Sequence, residues 1–262
     1  MKIAAYGIQI NYELSGQEGA PVVMLSHSLG SSLAMWNPQI ATLEPHFRVL
    51  RYDMRGHGGS DAPEGAYSLE QLGNDAVGLL DALAIQKVHW VGLSIGGMIG
   101  QSIALNHGPR LQSLVLCDTS AMIPAEAQPI LQERIATARE QGLAPLVQGT
   151  LERWFTPDYL RRNPPEVERI RQLFLATPVA GYIGCSEAIG HLNYLDRLPE
   201  IKTPALIMVG RDDPGTPVAA SEAIQARLAN SRLVILPSAS HLSNVEQAQA
   251  FNQNLMAFLT AH

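Results

Sequence analysis

The stretch "HWVGLSIGGMIGQSIALNH", residues 89–107, passes from a strand-like apolar run through a serine between two glycines to a helical pattern. The apolar run 88–93 predicts a buried strand, and the small residues that follow predict a helix. Ser94 lies where the strand pattern ends, between Gly92 and Gly96. Glycine inside an element costs about 0.5–1 kcal/mol relative to alanine. Its use on both sides of Ser94 therefore indicates a turn in which the backbone needs space.

The composition is that of a globular protein. A length of 262 residues fits one large domain, or a core with a modest insertion. The net charge of −6, without a Lys/Arg run, argues against a nucleic-acid partner, and the apolar runs are too short to span a bilayer. Residues 1–16 alternate like a strand rather than a signal peptide, and Cys117 and Cys185 have no metal-site spacing. We expect a cytoplasmic protein with both cysteines buried.

Short, nearly continuous apolar runs alternate with helical patterns along most of the chain. The strand-like runs are 21–26, 47–53, 88–93, 111–118, 204–210 and 232–237. The helical patterns between and after them are 69–83, 94–107, 219–229 and 245–259. Strands of this kind are covered on both faces, and their alternation with helices is typical of parallel βαβ units. We therefore predict an α/β fold with a mostly parallel, doubly wound sheet.

Residues 119–186 interrupt this alternation. They show helical patterns at 126–141, 143–154 and 165–176 and no strand-like run. Seven arginines and seven acidic residues make the segment neutral within an acidic chain. We predict a helical cap at 119–186 over the carboxyl edge of the sheet, where open α/β sheets bind ligands. Residues 1–118 and 187–262 would then form the core.

The turn at Ser94 matches the pattern G-x-S-x-G, in which a strained strand-to-helix turn exposes a nucleophilic serine. The motif is short enough to occur by chance, so its strand and helix context gives it meaning. A serine hydroxyl needs a base to accept its proton, and histidine has a suitable pKa. Among the eight histidines, His241 follows the last predicted strand and precedes the last helix. It therefore lies at the same sheet edge as Ser94.

A third residue, an acid, would orient the histidine. Asp212 and Asp213 follow the run 204–210, and Asp118 ends the run 111–118. All three lie at the carboxyl edge of the predicted sheet. We favour Asp213 and keep Asp118 as the alternative, and we interpret Asp212 as a solvated or capping carboxylate.

Two loops rich in glycine lie at the same edge. The loop "LSHSLGSSLAMW", residues 25–36, can direct a backbone amide at a developing oxyanion, and the second donor would be the amide of Ile95. The loop "RYDMRGHGGSD", residues 51–61, lacks the lysine and spacing of a phosphate loop. We interpret it as a sharp turn in which His57 is structural.

The chain resembles the α/β-hydrolases along nearly its whole length, and more narrowly the 3-oxoadipate enol-lactonases. The segments that carry the resemblance are 28–39, 47–63, 92–97, 153–159, 181–189 and 239–246. The resemblance implies a triad of Ser94, Asp213 and His241, with the amides of Leu29 and Ile95 as the oxyanion hole. It implies a role in bacterial aromatic catabolism without a metal or cofactor. Before that first amide, His27 and Ser28 replace the more common His-Gly pair.

The predicted activity is hydrolysis of a small lactone or short-chain ester through an acyl-enzyme. The resemblance favours the enol-lactone of 3-oxoadipate; a promiscuous carboxylesterase and a non-catalytic ligand receptor are the alternatives. We predict that Trp154 lines the pocket and that Phe155 packs the cap on the core. An arginine of the cap could bind the carboxylate of that lactone, although the sequence does not indicate which one. Nothing in the sequence indicates an oligomeric state.

Overall fold

Eight strands form one sheet at the centre of the computed structural model, which describes residues 1–262. The strands are β1 (Lys2–Ala5), β2 (Ile8–Gly16), β3 (Val22–Ser26), β4 (Arg48–Tyr52), β5 (Val88–Leu93), β6 (Leu111–Cys117), β7 (Ala205–Gly210) and β8 (Ser231–Leu236). Their order is β1-β2-β4-β3-β5-β6-β7-β8. β2 is antiparallel to both β1 and β4, and all other neighbours are parallel. The predicted mostly parallel sheet is confirmed.

Helices cover both faces of the sheet. They are α1 (Asn37–Leu43), α2 (Leu69–Ala82), α3 (Ile95–Asn106), α4 (Gln128–Gln141), α5 (Ala144–Trp154), α6 (Pro157–Arg162), α7 (Pro165–Leu175), α8 (Val179–Gly190), α9 (Val218–Gln225), α10 (Ser243–Glu246) and α11 (Ala248–Leu259). Side chains of α2 and α3 share one core with Met24 and Trp90, and those of α1 and α11 share the other with Val23 and Val91. Because neighbouring strand residues face opposite sides, both covered by helices, the central strands are buried and largely apolar.

The connection between β6 and β7 contains five helices, α4 to α8, and no strand. Of these, α4, α5 and α7 match the helical patterns of the sequence closely, whereas α6 and α8 do not correspond to a predicted helix. The predicted boundary at residue 186 falls inside α8, which ends at Gly190. No single helix is long and apolar enough to cross a membrane; only α7 and α8 together, bent by 94°, reach that length and composition.

The strand order brings the candidate residues to one edge of the sheet. Ser94 follows β5, and Asp118 follows β6. Asp213 and His241 follow β7 and β8. Since β5, β6, β7 and β8 are consecutive and parallel, their carboxyl ends meet at this edge. The loop after β3, the other neighbour of β5, reaches it from the opposite side.

Candidate active site

Ser94 occupies a strained turn between β5 and α3. Its backbone has φ of 58° and ψ of −120°, a conformation that residues with side chains rarely adopt. A Cβ atom on Gly92 would lie 2.1 Å from the carbonyl oxygen of Gly96, and one on Gly96 would lie 2.2 Å from that of Ser26. The two glycines are therefore required by the close approach of strand, turn and helix.

Two hydrogen bonds to the segment that ends β6 also hold this turn. The amide of Ser94 donates to the carbonyl oxygen of Cys117 at 2.9 Å. The hydroxyl of Thr119 donates to the carbonyl oxygen of Ser94 at 2.7 Å. Contacts of this kind hold a strained residue in one conformation, because the surrounding structure determines its backbone.

His241 and Asp213 form a buried pair next to Ser94. The distance from His241 Nδ1 to Asp213 Oδ2 is 2.7 Å. The hydroxyl of Thr216 donates to Asp213 Oδ2 at 2.6 Å, and the amides of Gly215 and Thr216 donate to Oδ1 at 2.8 and 3.0 Å. With its Nδ1 proton directed at the carboxylate, the imidazole keeps Nε2 free to accept a proton.

The pair shifts the pKa values of both members. Burial acts to lower the pKa of His241, but the charge of Asp213 and their hydrogen bond raise it above its ordinary value. Burial acts to raise the pKa of Asp213, but His241 and Thr216 lower it below its ordinary value. The carboxylate is therefore ionised at neutral pH, and the imidazole is a stronger base than a free histidine.

Asp118 is buried behind this pair with other partners. Its Oδ1 accepts from the amide of Gly210 at 2.7 Å, and its Oδ2 accepts from the hydroxyl of Ser243 at 2.5 Å. Burial and the charge of Asp213 raise the pKa of Asp118 well above its ordinary value. The structure thus brings Asp213, and not Asp118, into hydrogen-bonding contact with His241.

Two buried histidines hold the loop that carries Leu29. The amide of Gly30 donates to His57 Nε2 at 3.0 Å, and the amide of Met54 donates to His27 Nε2 at 3.1 Å. Burial lowers the pKa of His27 to about 4 and that of His57 to about 3, so both are neutral acceptors. The amide of Leu29 donates no hydrogen bond within the protein.

The second predicted amide belongs to Ile95, which opens α3. The first amide groups of a helix have no acceptor inside the helix and carry positive potential. The role of the Leu29 and Ile95 amides as an oxyanion hole stays a prediction.

A cavity of about 280 Å³ lies beside Ser94 and His241, and Ile95 is not part of its wall. Its wall includes Leu29, Ser94, Asp213, His241 and Trp154. The hydroxyl of Ser94 makes no hydrogen bond to His241, although both line the cavity.

Apolar side chains from the core and from α4, α5, α7 and α8 complete the cavity wall. Trp154 is buried edge-on against Phe174, with ring centroids 5.8 Å apart. Phe155 lies outside the cavity and stacks on Tyr159 at 5.1 Å.

The chain matches the family model described as the alpha/beta hydrolase fold over residues 21–248. This chain belongs to the α/β-hydrolase family. The match covers the sheet from β3 to β8 and the helices between them. It confirms the family predicted from the sequence.

Individual relatives narrow the comparison within the α/β-hydrolases. The chain is 38% identical to 3-oxoadipate enol-lactonase 2 of Acinetobacter baylyi, over 98% of this chain and 95% of the relative. It is 40% identical to the enol-lactonase of Burkholderia xenovorans, with a TM-score of 0.96 over 99% of this chain and 100% of the other. A thermophilic esterase from Thermogutta terrifontis, solved with malate bound, is 29% identical with a TM-score of 0.92, over 100% and 98% of the two chains. The resemblance to enol-lactonases is confirmed.

No group of three or more His, Cys, Asp or Glu side chains in this hydrolase is arranged to hold a metal ion. Cys117 and Cys185 are free and buried, as predicted. The expectation that the reaction needs no metal or cofactor stays a prediction.

Glu246 is a residue near the site that the sequence interpretation did not single out. Its carboxylate accepts from the amide of Ser240 at 2.9 Å and from the amide of Thr156 at 3.1 Å. The hydroxyl of Thr156 makes a further short hydrogen bond to it. Glu246 therefore joins the loop of His241 to the end of α5. The sequence around Glu246 contains no pattern that would distinguish this residue from a solvent-exposed acid.

Two further bonds connect the same segments. The amide of Leu242 donates to the carbonyl oxygen of Trp154 at 3.0 Å, and the hydroxyl of Ser240 donates to that of Arg153 at 2.7 Å. The end of α5 and the loop of His241 are thus held together by both backbone and side chains.

Proposed function

We propose that this protein is a serine hydrolase that opens a small lactone or short-chain ester through an acyl-enzyme. The observation that carries the proposal is the strained backbone of Ser94, whose side chain shares a cavity with the His241–Asp213 pair. Family membership and the enol-lactonase relatives support cleavage of an ester-type bond. The strained backbone of this turn serves to expose the serine hydroxyl, as in the nucleophile turn of the G-x-S-x-G motif.

In the first half of the reaction Ser94 Oγ attacks the carbonyl carbon, and His241 Nε2 accepts its proton. The amides of Leu29 and Ile95 stabilise the negative charge on the carbonyl oxygen. Asp213 holds the imidazole and stabilises its protonated form. The hydrogen bond between serine and histidine forms as the substrate binds, because such contacts are often long in the free enzyme.

His241 then returns the proton to the leaving oxygen as the acyl–oxygen bond breaks. In a lactone this oxygen stays attached to the acyl chain, so the ring opens and nothing departs. Water then attacks the acyl-enzyme with His241 as base. His241 returns this proton to Ser94 Oγ as the bond between the acyl group and Oγ breaks, and the free carboxylic acid departs. Trp154 contributes an apolar wall against which the substrate chain packs.

The proposed substrate is the enol-lactone of 3-oxoadipate. The relatives of 38% and 40% identity support this choice over the full length of the chain. A cavity of about 280 Å³ suits a small molecule better than a polymer or a bulky lipid. We place the enzyme in the cytoplasm and in bacterial aromatic catabolism, and we treat the helices between β6 and β7 as its cap.

Labelling tests the nucleophile directly. A fluorophosphonate probe should modify the wild type at Ser94, as located by mass spectrometry, and the Ser94→Ala variant should stay unlabelled. An unlabelled wild type that also fails to hydrolyse p-nitrophenyl esters would favour a non-catalytic receptor.

Comparison of substrates tests the lactone. The kcat/KM for the enol-lactone should exceed those for p-nitrophenyl acetate and butyrate by at least about tenfold, a difference of ~1.4 kcal/mol in transition-state binding. A smaller preference would replace the lactonase with the alternative, a promiscuous carboxylesterase.

A further inference from the structure

Two arginines reach the candidate active site from the helices between β6 and β7. Arg134 belongs to α4 and Arg153 to α5, and both line the cavity that contains Ser94 and His241. Both are partly buried. The sequence shows seven arginines in this region without distinguishing them, and the structure selects these two.

The other arginines of the region have different surroundings. Arg161 pairs with Asp158 and Arg171 with Glu168, each within one helix. Arg169 donates to the carbonyl oxygen of Ala34 at 2.6 Å. The two remaining arginines, Arg139 and Arg162, are exposed.

Neither arginine of the cavity is paired with a carboxylate. Arg153 Nη2 donates to the hydroxyl of Thr150 at 3.0 Å, and Arg134 makes no hydrogen bond within the protein. The nearby Glu152 accepts instead from the amide group of Gln148 at 2.8 Å. Most donor positions of the two guanidinium groups are therefore available to a ligand.

The electrostatics favour an anion at this place. Burial lowers the pKa of Arg153, and the charge of Arg134 lowers it further, yet a guanidinium keeps its proton at neutral pH. Two neighbouring positive charges in a largely apolar cavity repel each other, and an anion between them relieves that repulsion. Arg153 also acts on the charge of His241, so this anion would lie within the reach of the reacting groups.

We infer that Arg134 and Arg153 bind a free carboxylate on the substrate while its ester carbonyl lies at Ser94. The enzyme would then select esters and lactones that carry a carboxylate at the far end of a short chain. The planar guanidinium fork matches a carboxylate in geometry as well as in charge. This inference rests on the proposed hydrolase function, and it assigns the specificity of that function to two residues.

Two chromogenic esters with the same six-carbon acyl chain test the inference. Mono-p-nitrophenyl adipate carries a terminal carboxylate, and p-nitrophenyl hexanoate carries none. For the wild type, kcat/KM of the charged ester should exceed that of the neutral ester by about tenfold to a hundredfold, as expected for hydrogen bonds between charged groups.

Substitutions then assign this preference to residues. Arg134→Gln and Arg153→Gln should each lower the ratio of the two kcat/KM values by about tenfold, and the double variant should bring it close to one. Arg139→Gln is the matched control, because Arg139 is exposed on α4 outside the cavity. It should leave the ratio unchanged. Because the ratio compares two substrates of one preparation, partial unfolding does not alter it.

Binding to Ser94→Ala gives a measurement that needs no catalysis. Monomethyl adipate, which carries one free carboxylate, should bind this variant more tightly than methyl hexanoate, which carries none, and Arg134→Gln together with Arg153→Gln on the same background should remove the difference. A wild-type ratio of one or less, or a double variant that keeps the wild-type ratio, would overturn the inference. If no ester is hydrolysed by the wild type, the hydrolase proposal fails, and the comparison of monomethyl adipate with methyl hexanoate still decides whether the carboxylate site exists.

Discussion

At the scale of single residues, the backbone of Ser94 stores strain that its side chain requires. Non-glycine residues in such conformations cost about 1–3 kcal/mol. Alanine at this position would keep the strain, whereas glycine would remove it at a cost of about 0.5–1 kcal/mol in chain entropy. We therefore expect Ser94→Gly to melt about 2–4 °C above Ser94→Ala by calorimetry, with both variants inactive. Equal melting temperatures would show that the turn carries no strain.

The two buried aspartates should respond differently to replacement by asparagine. Asp213→Asn would disfavour the tautomer that leaves His241 Nε2 free, and kcat should fall by about 10⁴. Asp118 has a raised pKa that favours its protonated form, and asparagine matches that form in shape. Its amide oxygen can accept from the amide of Gly210, and its NH2 group can donate to the hydroxyl of Ser243, which then accepts instead of donating. Asp118→Asn should therefore lower kcat by less than about tenfold. Steady-state measurements of kcat for both variants on one ester test this prediction. A larger loss of kcat in Asp118→Asn than in Asp213→Asn would make Asp118 the catalytic acid.

The pH dependence of the reaction follows from the raised pKa of His241. Only the neutral imidazole accepts the serine proton, so kcat/KM should rise with pH, with a midpoint above the ordinary histidine value of 6.5. Asp213 raises this pKa and Arg153 lowers it. The midpoint should thus move down in Asp213→Asn and up in Arg153→Gln, measured with a neutral ester. Shifts in the opposite directions would contradict the assignment of His241 as the base.

At the scale of elements, the end of α5 provides two buried aromatic residues with different surroundings. Trp154→Ala and Phe155→Ala should both lower the melting temperature, because each removes a large buried side chain. Only Trp154 lines the cavity, so its loss should also raise KM by about tenfold. Phe155→Ala serves as the control for stability alone. Similar KM values in the two variants would mean that Trp154 is structural.

Some elements of the fold can be predicted from the sequence and others cannot. Strands β3 to β8 are nearly continuous apolar runs, and Ser94 is marked by its flanking glycines, so these follow from local pattern. The sequence does not predict α8 because the small and apolar residues of this helix are spread around its whole circumference. It therefore shows no apolar stripe on one face. The sequence also does not show that the side chains of Arg134 and Arg153 point into the cavity, because this depends on how α4 and α5 pack above the core.

At the scale of the whole molecule, two glycines decide how closely α8 approaches the core. A Cβ atom on Gly181 would lie 1.8 Å from the carbonyl oxygen of Gly56, in the turn that contains His57. Gly181→Ala should therefore destabilise the protein by about 1–3 kcal/mol, the usual cost of overpacking. In Gly73→Ala, the matched control in α2, the new Cβ meets its nearest side chain at 3.4 Å and helix propensity improves. Thermal unfolding should show a loss for the first variant and none for the second.

The hydrogen bonds of Glu246 bear on how such hydrolases can exchange parts during evolution. Because this carboxylate joins Thr156 to the loop of His241, the segment that shapes the pocket also helps to place His241, the proposed base. A cap inherited from another lineage would bring its own residues at the end of α5 and disturb that base together with the pocket. Recombinants should therefore stay active only when Glu246 and Thr156, and likewise Gly56 and Gly181, descend from one parent. New specificities would then arise more readily by point substitution within the cavity than by exchange of whole caps.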